Sequence, residues 1–160
     1  PMRTWTVGGA LIRHEDGLVL VGNRRRDRSL EWTPPGGVID EGESVLDGLA
    51  REVREETGLV VVKWATRSYR VGVEAPTMGW YLSVEAWEAE VSGDVHIDDP
   101  DGIVEEVRHV AAVDALPLLA TAPPWVHQPV GHWLDGADDV AYEFVLHGAD
   151  RSTATVERVR

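Results

Sequence analysis

One stretch constrains this chain more than any other: Pro34-Pro35-Gly36-Gly37, followed by a run from Ser44 to Leu59 written with helical spacing. Paired glycines after a proline favour a tight turn and close backbone approach. Ser44 is a good N-cap, and Asp47 three residues on can reach back in a capping box. Gly58 supplies the left-handed position that stops the helix. Any fold for this chain must therefore hold a glycine loop against the start of a helix marked at both ends.

At about 100° per residue, Leu46, Leu49, Ala50 and Val53 form an apolar stripe on that helix. Glu52, Glu55 and Glu56 share a second arc, turned roughly 110–120° from the stripe. Gly48 lies one turn earlier in the carboxylate arc, costs about 1 kcal/mol against alanine, and leaves bare backbone there. Three like charges on adjacent turns repel, although Arg51 and Arg54 offset part of it. A solvated acidic face is the plain reading of such a run. Carboxylates gathered near the helix C-terminal half, where the dipole disfavours anions, favour a bound divalent cation instead. Oxygen-only ligands suit magnesium or manganese.

Gly37, five residues, Glu43, seven residues, then Arg51-Glu52-Val53-Arg54-Glu55-Glu56-Thr57-Gly58-Leu59 resembles the complete signature of the Nudix hydrolases. Each fixed position is filled as that family fills it. The resemblance implies an α/β fold: an α/β/α sandwich with a mixed central sheet and the loop-helix on one face. It implies a single domain over residues 1–160, with 150–160 as a tail of uncertain role. Pro1, ahead of Met2, reads as a processing remnant.

The chain has 160 residues, enough to bury a real core, and no cysteine, which removes disulfides, thiolate zinc sites and cysteine nucleophiles. Its formal net charge of −13 argues against nucleic acid or an anionic membrane as partner. A polyanionic small substrate would be repelled as well, unless cations screened the site. No apolar run approaches a membrane-spanning length and none reads as a signal peptide, so a cytoplasmic enzyme is expected.

Residues 3–13 and 17–24 read as strands whose apolar runs have both faces covered. Residues 59–73 and 78–91 read as long strands joined by a turn at Glu74-Ala75-Pro76-Thr77, and 103–110 and 140–147 as further strands. Pro123 to Leu134 reads as the second large helix, bent or shortened by Pro129. Arg24-Arg25-Arg26-Asp27-Arg28 interrupts the acidic background; it reads equally as a solvated loop and as a contact for substrate phosphate. Among the aromatics Trp64, Tyr69, Trp80, Tyr81 and Trp87, most should be core, with one or two lining a purine pocket. The loop holding Asp94, Asp98, Asp99 and Asp101 lacks the spacing of an EF-hand.

The resemblance also implies roles. Glu52, Glu55 and Glu56, with the carbonyl of Gly36, hold magnesium (or manganese in its place). Arg51 orients the carboxylates, and Glu43 pairs with it to fix loop against helix, while Gly37 and Gly58 support the backbone. Arg24, Arg25 or Arg26 meets substrate phosphate. Glu55 or Glu106 deprotonates the attacking water, with Glu105 or a loop aspartate as further candidates for the acidic residue. The reaction is hydrolysis of a phosphoanhydride in a nucleoside diphosphate linked to another group, the partner a small-molecule nucleotide. Relatives are often dimers, which leaves a homodimer open. Two other readings stand beside it: a non-catalytic nucleotide sensor on the same fold, or a protein-interaction domain using the acidic helix.

Overall fold

A computed structural model describes residues 2–160. The chain runs β1 (Arg3–Leu11), β2 (Arg13–His14), β3 (Gly17–Arg24), β4 (Leu30–Thr33), β5 (Gly36–Val38), α1 (Val45–Thr57), β6 (Val60–Ala75), β7 (Trp80–Ser92), β8 (Val104–Val110), α2 (Ala112–Leu119), α3 (Pro124–Leu134), β9 (Val140–His147) and β10 (Thr155–Arg158).

The strands form two sheets. The larger is six-stranded and mixed, in the order β10-β9-β6-β7-β1-β5. Within it, β1 runs parallel to β7 and β6 parallel to β9, and the other pairs are antiparallel. The smaller is antiparallel: β3 carries β8 along one edge and β2 and then β4 along the other.

The apolar runs in β1 and β3 do have both faces covered. Ala10, Ile12 and Val19 pack with Leu49 and Val53 of α1. Leu11, Leu18 and Leu20 point the other way, into a core shared with Ala115, Leu119, Trp125 and Val130 of α2 and α3. This two-residue alternation places the sheets between a layer made by α1 and a layer made by α2 and α3. Leu49 and Val53 are fully buried, each worth about 1.5–3 kcal/mol relative to exposure.

Several local expectations are corrected. Strand β6 runs on to Ala75, and the turn falls at Pro76–Gly79, where Gly79 adopts φ 78° and returns its N–H to Ala75 O at 2.8 Å. The terminal stretch is not a loose tail, because β10 pairs with β9 from Thr155↔His147 to Arg158↔Phe144. Helix α3 passes through Pro129, which is buried, without ending there. The helical stripe on α1 is also shifted: Leu46 and Ala50 are only partly buried, while Gly48 and Glu56 join Leu49 and Val53 inside. None of the helices is long and apolar enough to cross a membrane among the described residues.

Candidate active site

Helix α1 begins as its sequence dictates, with Ser44 Oγ accepting from the Asp47 N–H at 3.1 Å. It ends at Gly58, in the left-handed conformation, whose N–H returns to Arg54 O. A Cβ on Gly58 would press into the His96 backbone at 2.5 Å, so the glycine also admits the loop that follows β7. That loop docks on carbonyls which a helix end leaves without partners: His96 N–H donates to Thr57 O at 2.7 Å and Asp98 N–H to Glu55 O at 3.0 Å. Asp99 then fixes the loop internally, accepting from the N–H groups of Ile103 and Val104 at 2.8 and 2.9 Å.

Strand β5 is held just as closely. Gly36 and Gly37 pair with Gly9 and Gly8 of β1. A Cβ on Gly36 would overlap the Gly8 carbonyl, and one on Gly37 would lie 2.9 Å from the Glu52 carboxyl carbon. Only glycines let loop, strand and helix meet here. The Gly36 N–H consequently points at α1 and donates to Glu56 Oε1 at 2.7 Å.

Arg51 ties the remaining groups. Its Nε and Nη2 make a two-pronged contact with Glu43 at 3.0 and 2.9 Å. Its Nη1 bridges Glu52 at 3.1 Å and Glu55 at 3.3 Å. The guanidinium holds Glu43 below the usual carboxylate range, helped by the Asp40 N–H. The guanidinium itself is held more firmly protonated, above all by its bond to Glu43. Burial raises Glu52, against the pull of Arg51. Burial pushes Glu56 up to about 8, only partly opposed by the Gly36 N–H.

These groups line a cleft of about 460 Å³ whose walls include Asn23, Gly36, Gly37, Arg51, Glu52, Glu55, Glu56, Asp99 and Asp101. Its donor set is oxygen-rich, as magnesium or manganese requires. Among the described residues, no three acidic or histidine side chains yet close around a single point. The reason is local: one cationic nitrogen of Arg51 already draws Glu52 and Glu55 to itself, at 3.1 and 3.3 Å. Glu56 is raised by burial and, to a lesser degree, by the neighbouring carboxylates Glu52, Asp99 and Glu55. The oxygen donors of Glu52, Glu55 and Glu56 on one wall of the cleft nonetheless fit a divalent ion in kind.

Gly36 and Gly37 also line a second, apolar pocket of about 190 Å³ on the α3 side, with Val7, Tyr69, Leu82, Val84 and Trp125 around it. Two glycines thus separate an acidic cleft from an aromatic pocket.

Other anticipated residues are placed elsewhere. Glu106 stands on the opposite side of β8 from Val107, which faces α1, and its carboxylate pairs with Arg108 at 3.0 Å. Arg108 in turn stacks on Trp32, so Glu106 is drawn away from the cleft. Glu105 binds Arg24 at 3.0 Å. Arg24 also donates to Gly102 O, Arg25 to Thr121 O and Ser29 Oγ, and Arg26 is exposed; none of the three lines the cleft. The turn after β3 sends these arginines towards α2 and the start of β8. Asn23, which does line the cleft, was not anticipated, and its position at the end of β3 beside the arginine run was the only signal for it. The bare backbone expected at Gly48 is instead covered by Ile39 and Glu43.

Comparison with known proteins agrees with this arrangement. The NUDIX domain family matches residues 2–134. A MutT-like protein of Streptomyces ambofaciens is 33% identical over 140 residues, covering 84% of this chain and 88% of that protein. An RNA pyrophosphohydrolase of Caulobacter vibrioides is 30% identical over 111 residues, covering 56% of this chain and 64% of that protein. Among solved structures, a NUDIX hydrolase from Nitrosomonas europaea superposes with a TM-score of 0.71 at 18% identity, over 86% of this chain and 93% of that one, a likeness of fold alone. With the family profile spanning most of its length and the loop-helix folded as that signature requires, the chain belongs to the Nudix hydrolase family of enzymes.

Proposed function

We propose that this protein hydrolyses a phosphoanhydride bond in a small nucleotide, a nucleoside diphosphate linked to a second group, with magnesium or manganese held by Glu52, Glu55 and Glu56. The carbonyl of Gly36 is a further oxygen for that ion in this reading. One observation carries it: the acidic cleft and the aromatic pocket meet across Gly36–Gly37. A nucleotide has those two ends, a planar base and a polyanionic chain. The base enters beside Tyr69 and Trp125, and the phosphates cross the glycines towards α1. Binding both ends places the anhydride over the carboxylates. When bound, the ion neutralises phosphate oxygens and lowers the pKa of the water beside it.

The chain's own groups do the rest. Arg51, anchored on Glu43, sets the positions of Glu52 and Glu55 and remains beside them. Glu56 is oriented by the Gly36 N–H. Glu55 takes the proton of the attacking water, because it faces the cleft with a single long bond to Arg51, whereas Glu106 is bonded to Arg108. The net charge of −13 disfavours long nucleic acids, and a small nucleotide needs the bound ion to screen its phosphates.

The test is a turnover screen with magnesium over nucleoside triphosphates, ADP-ribose and dinucleoside polyphosphates, comparing wild type with Glu56→Gln. Metal-dependent product release should fall at least about 100-fold in the variant while its fold is kept. Equal turnover in the two proteins would overturn the assignment.

A further inference from the structure

The α1 face of the six-stranded sheet is covered only in part. Helix α1 lies over β1, β5 and the start of β6. Further across, β6, β7 and β9 floor a separate cavity of about 340 Å³ that shares none of the carboxylates of α1. The register shows how it is built. Arg70 stands between Ala141 and Glu85, and Gly72 between Glu143 and Ser83, so two rows of a three-stranded ladder form its base.

Gly72 leaves room that Tyr81 and Glu143 fill. It lies inside a strand, where glycine weakens pairing and often marks close approach. A Cβ there would overlap both the Tyr81 hydroxyl and the Glu143 carboxylate. Three arginines, Arg67, Arg70 and Arg160, line the cavity beside them. Among the described residues, Arg67 approaches Glu85 only at 3.8 Å, and Arg70 and Arg160 have no ion pair within 4.0 Å. The Nε of Arg67 is moreover buried with no hydrogen-bond partner.

We infer that this cavity is a second ligand site, distinct from the hydrolytic cleft, that takes a small hydroxylated phosphate of the sugar-phosphate class. Guanidinium groups match phosphate oxygens, and among the described residues Arg70 and Arg160 have no carboxylate partner to give up. Glu85 and Glu143 would repel a bare anion, but they accept hydrogen bonds from the hydroxyls of a sugar, and Tyr81 closes the far side. The volume lies at the lower end of small-molecule sites. Val84 lines both this cavity and the aromatic pocket, so the two sites lie back to back across one strand.

The test is calorimetric titration of the whole, metal-free protein with ribose 5-phosphate, ribose and inorganic phosphate. Ribose 5-phosphate should bind saturably. Arg67→Ala and Arg70→Ala should each weaken it at least tenfold, Gly72→Ala should weaken it by displacing Tyr81 and Glu143, and Glu52→Gln in the other cleft should leave it unchanged. The arginine variants are near the surface and their folding is checked by melting temperature. No saturable binding in the folded wild type would overturn the proposal, as would binding abolished by Glu52→Gln but not by Arg70→Ala. Equal affinity for inorganic phosphate and ribose 5-phosphate would overturn the role of Glu85 and Glu143 and with it the ligand class.

Discussion

Glu56 Oε1 accepts a 2.7 Å hydrogen bond from the Gly36 N–H, joining the buried end of α1 to the glycine strand β5. This contact fixes the most enclosed carboxylate of the cleft at the point where the acidic and aromatic pockets meet. Its cost is a negative charge with little water around it, and that cost has measurable consequences.

The first is a pH effect on the metal-free protein. Glu56 lies at about 8 in the folded state against an ordinary 4.5. Below 4.5 both folded and unfolded chains hold the proton. Between 4.5 and 8 the unfolded chain releases it first, so stability falls as pH rises, and above 8 the loss is complete. Melting temperature should therefore drop more steeply over that range in wild type than in Glu56→Gln. The difference between the two isolates this carboxylate from Glu52, which shifts in the same direction.

A divalent ion should reverse that loss. Binding needs the ionised carboxylate, so below pH 8 it releases a proton. Titrations in two buffers of different ionisation enthalpy should show proton release on magnesium binding that diminishes towards pH 9. Identical heats in the two buffers at pH 7 would contradict the assignment of Glu56 as a ligand.

Arg51 is the next target. Removing it leaves Glu43, Glu52 and Glu55 without their shared cation. Arg51→Ala should cost about 1–3 kcal/mol in urea unfolding, less than a fully buried ion pair because the side chain is a quarter exposed. Arg51→Lys should recover only part of it, since an ammonium cannot span both oxygens of Glu43 while reaching two further carboxylates.

Gly48 separates helix propensity from packing. Propensity alone predicts that Gly48→Ala stabilises α1 by about 1 kcal/mol. The new methyl would lie 2.8 Å from Glu43 Oε1 and 3.0 Å from Ile39. Glu43 cannot swing aside without loosening the two hydrogen bonds it accepts from Arg51, so the packing cost should exceed the gain. Urea unfolding should show net destabilisation and a Glu43 carboxylate that titrates closer to its ordinary value by NMR.

Much of this protein is local, and the sequence alone determined it. The start of α1 at Ser44, its stop at Gly58, and the joint placement of Glu52, Glu55 and Glu56 follow from periods and caps that neighbours within a few residues enforce. The covering of β1 and β3 on both faces was likewise readable, because unbroken apolar runs leave no side for water.

Tertiary structure decided what depends on partners distant in the chain. Glu56 is buried because β5, pinned to β1 by glycines, lies across it, and no helical wheel contains that strand. Glu106, Arg24 and Arg25 turn from the cleft because Arg108, Glu105 and Thr121 hold them elsewhere, pairings set by how β3 and β8 register. The acidic loop reaches the cleft only because the end of α1 offers unpaired carbonyls to His96 and Asp98. Spacing along a chain fixes which side of an element a residue takes; only the packing of elements fixes what waits on that side.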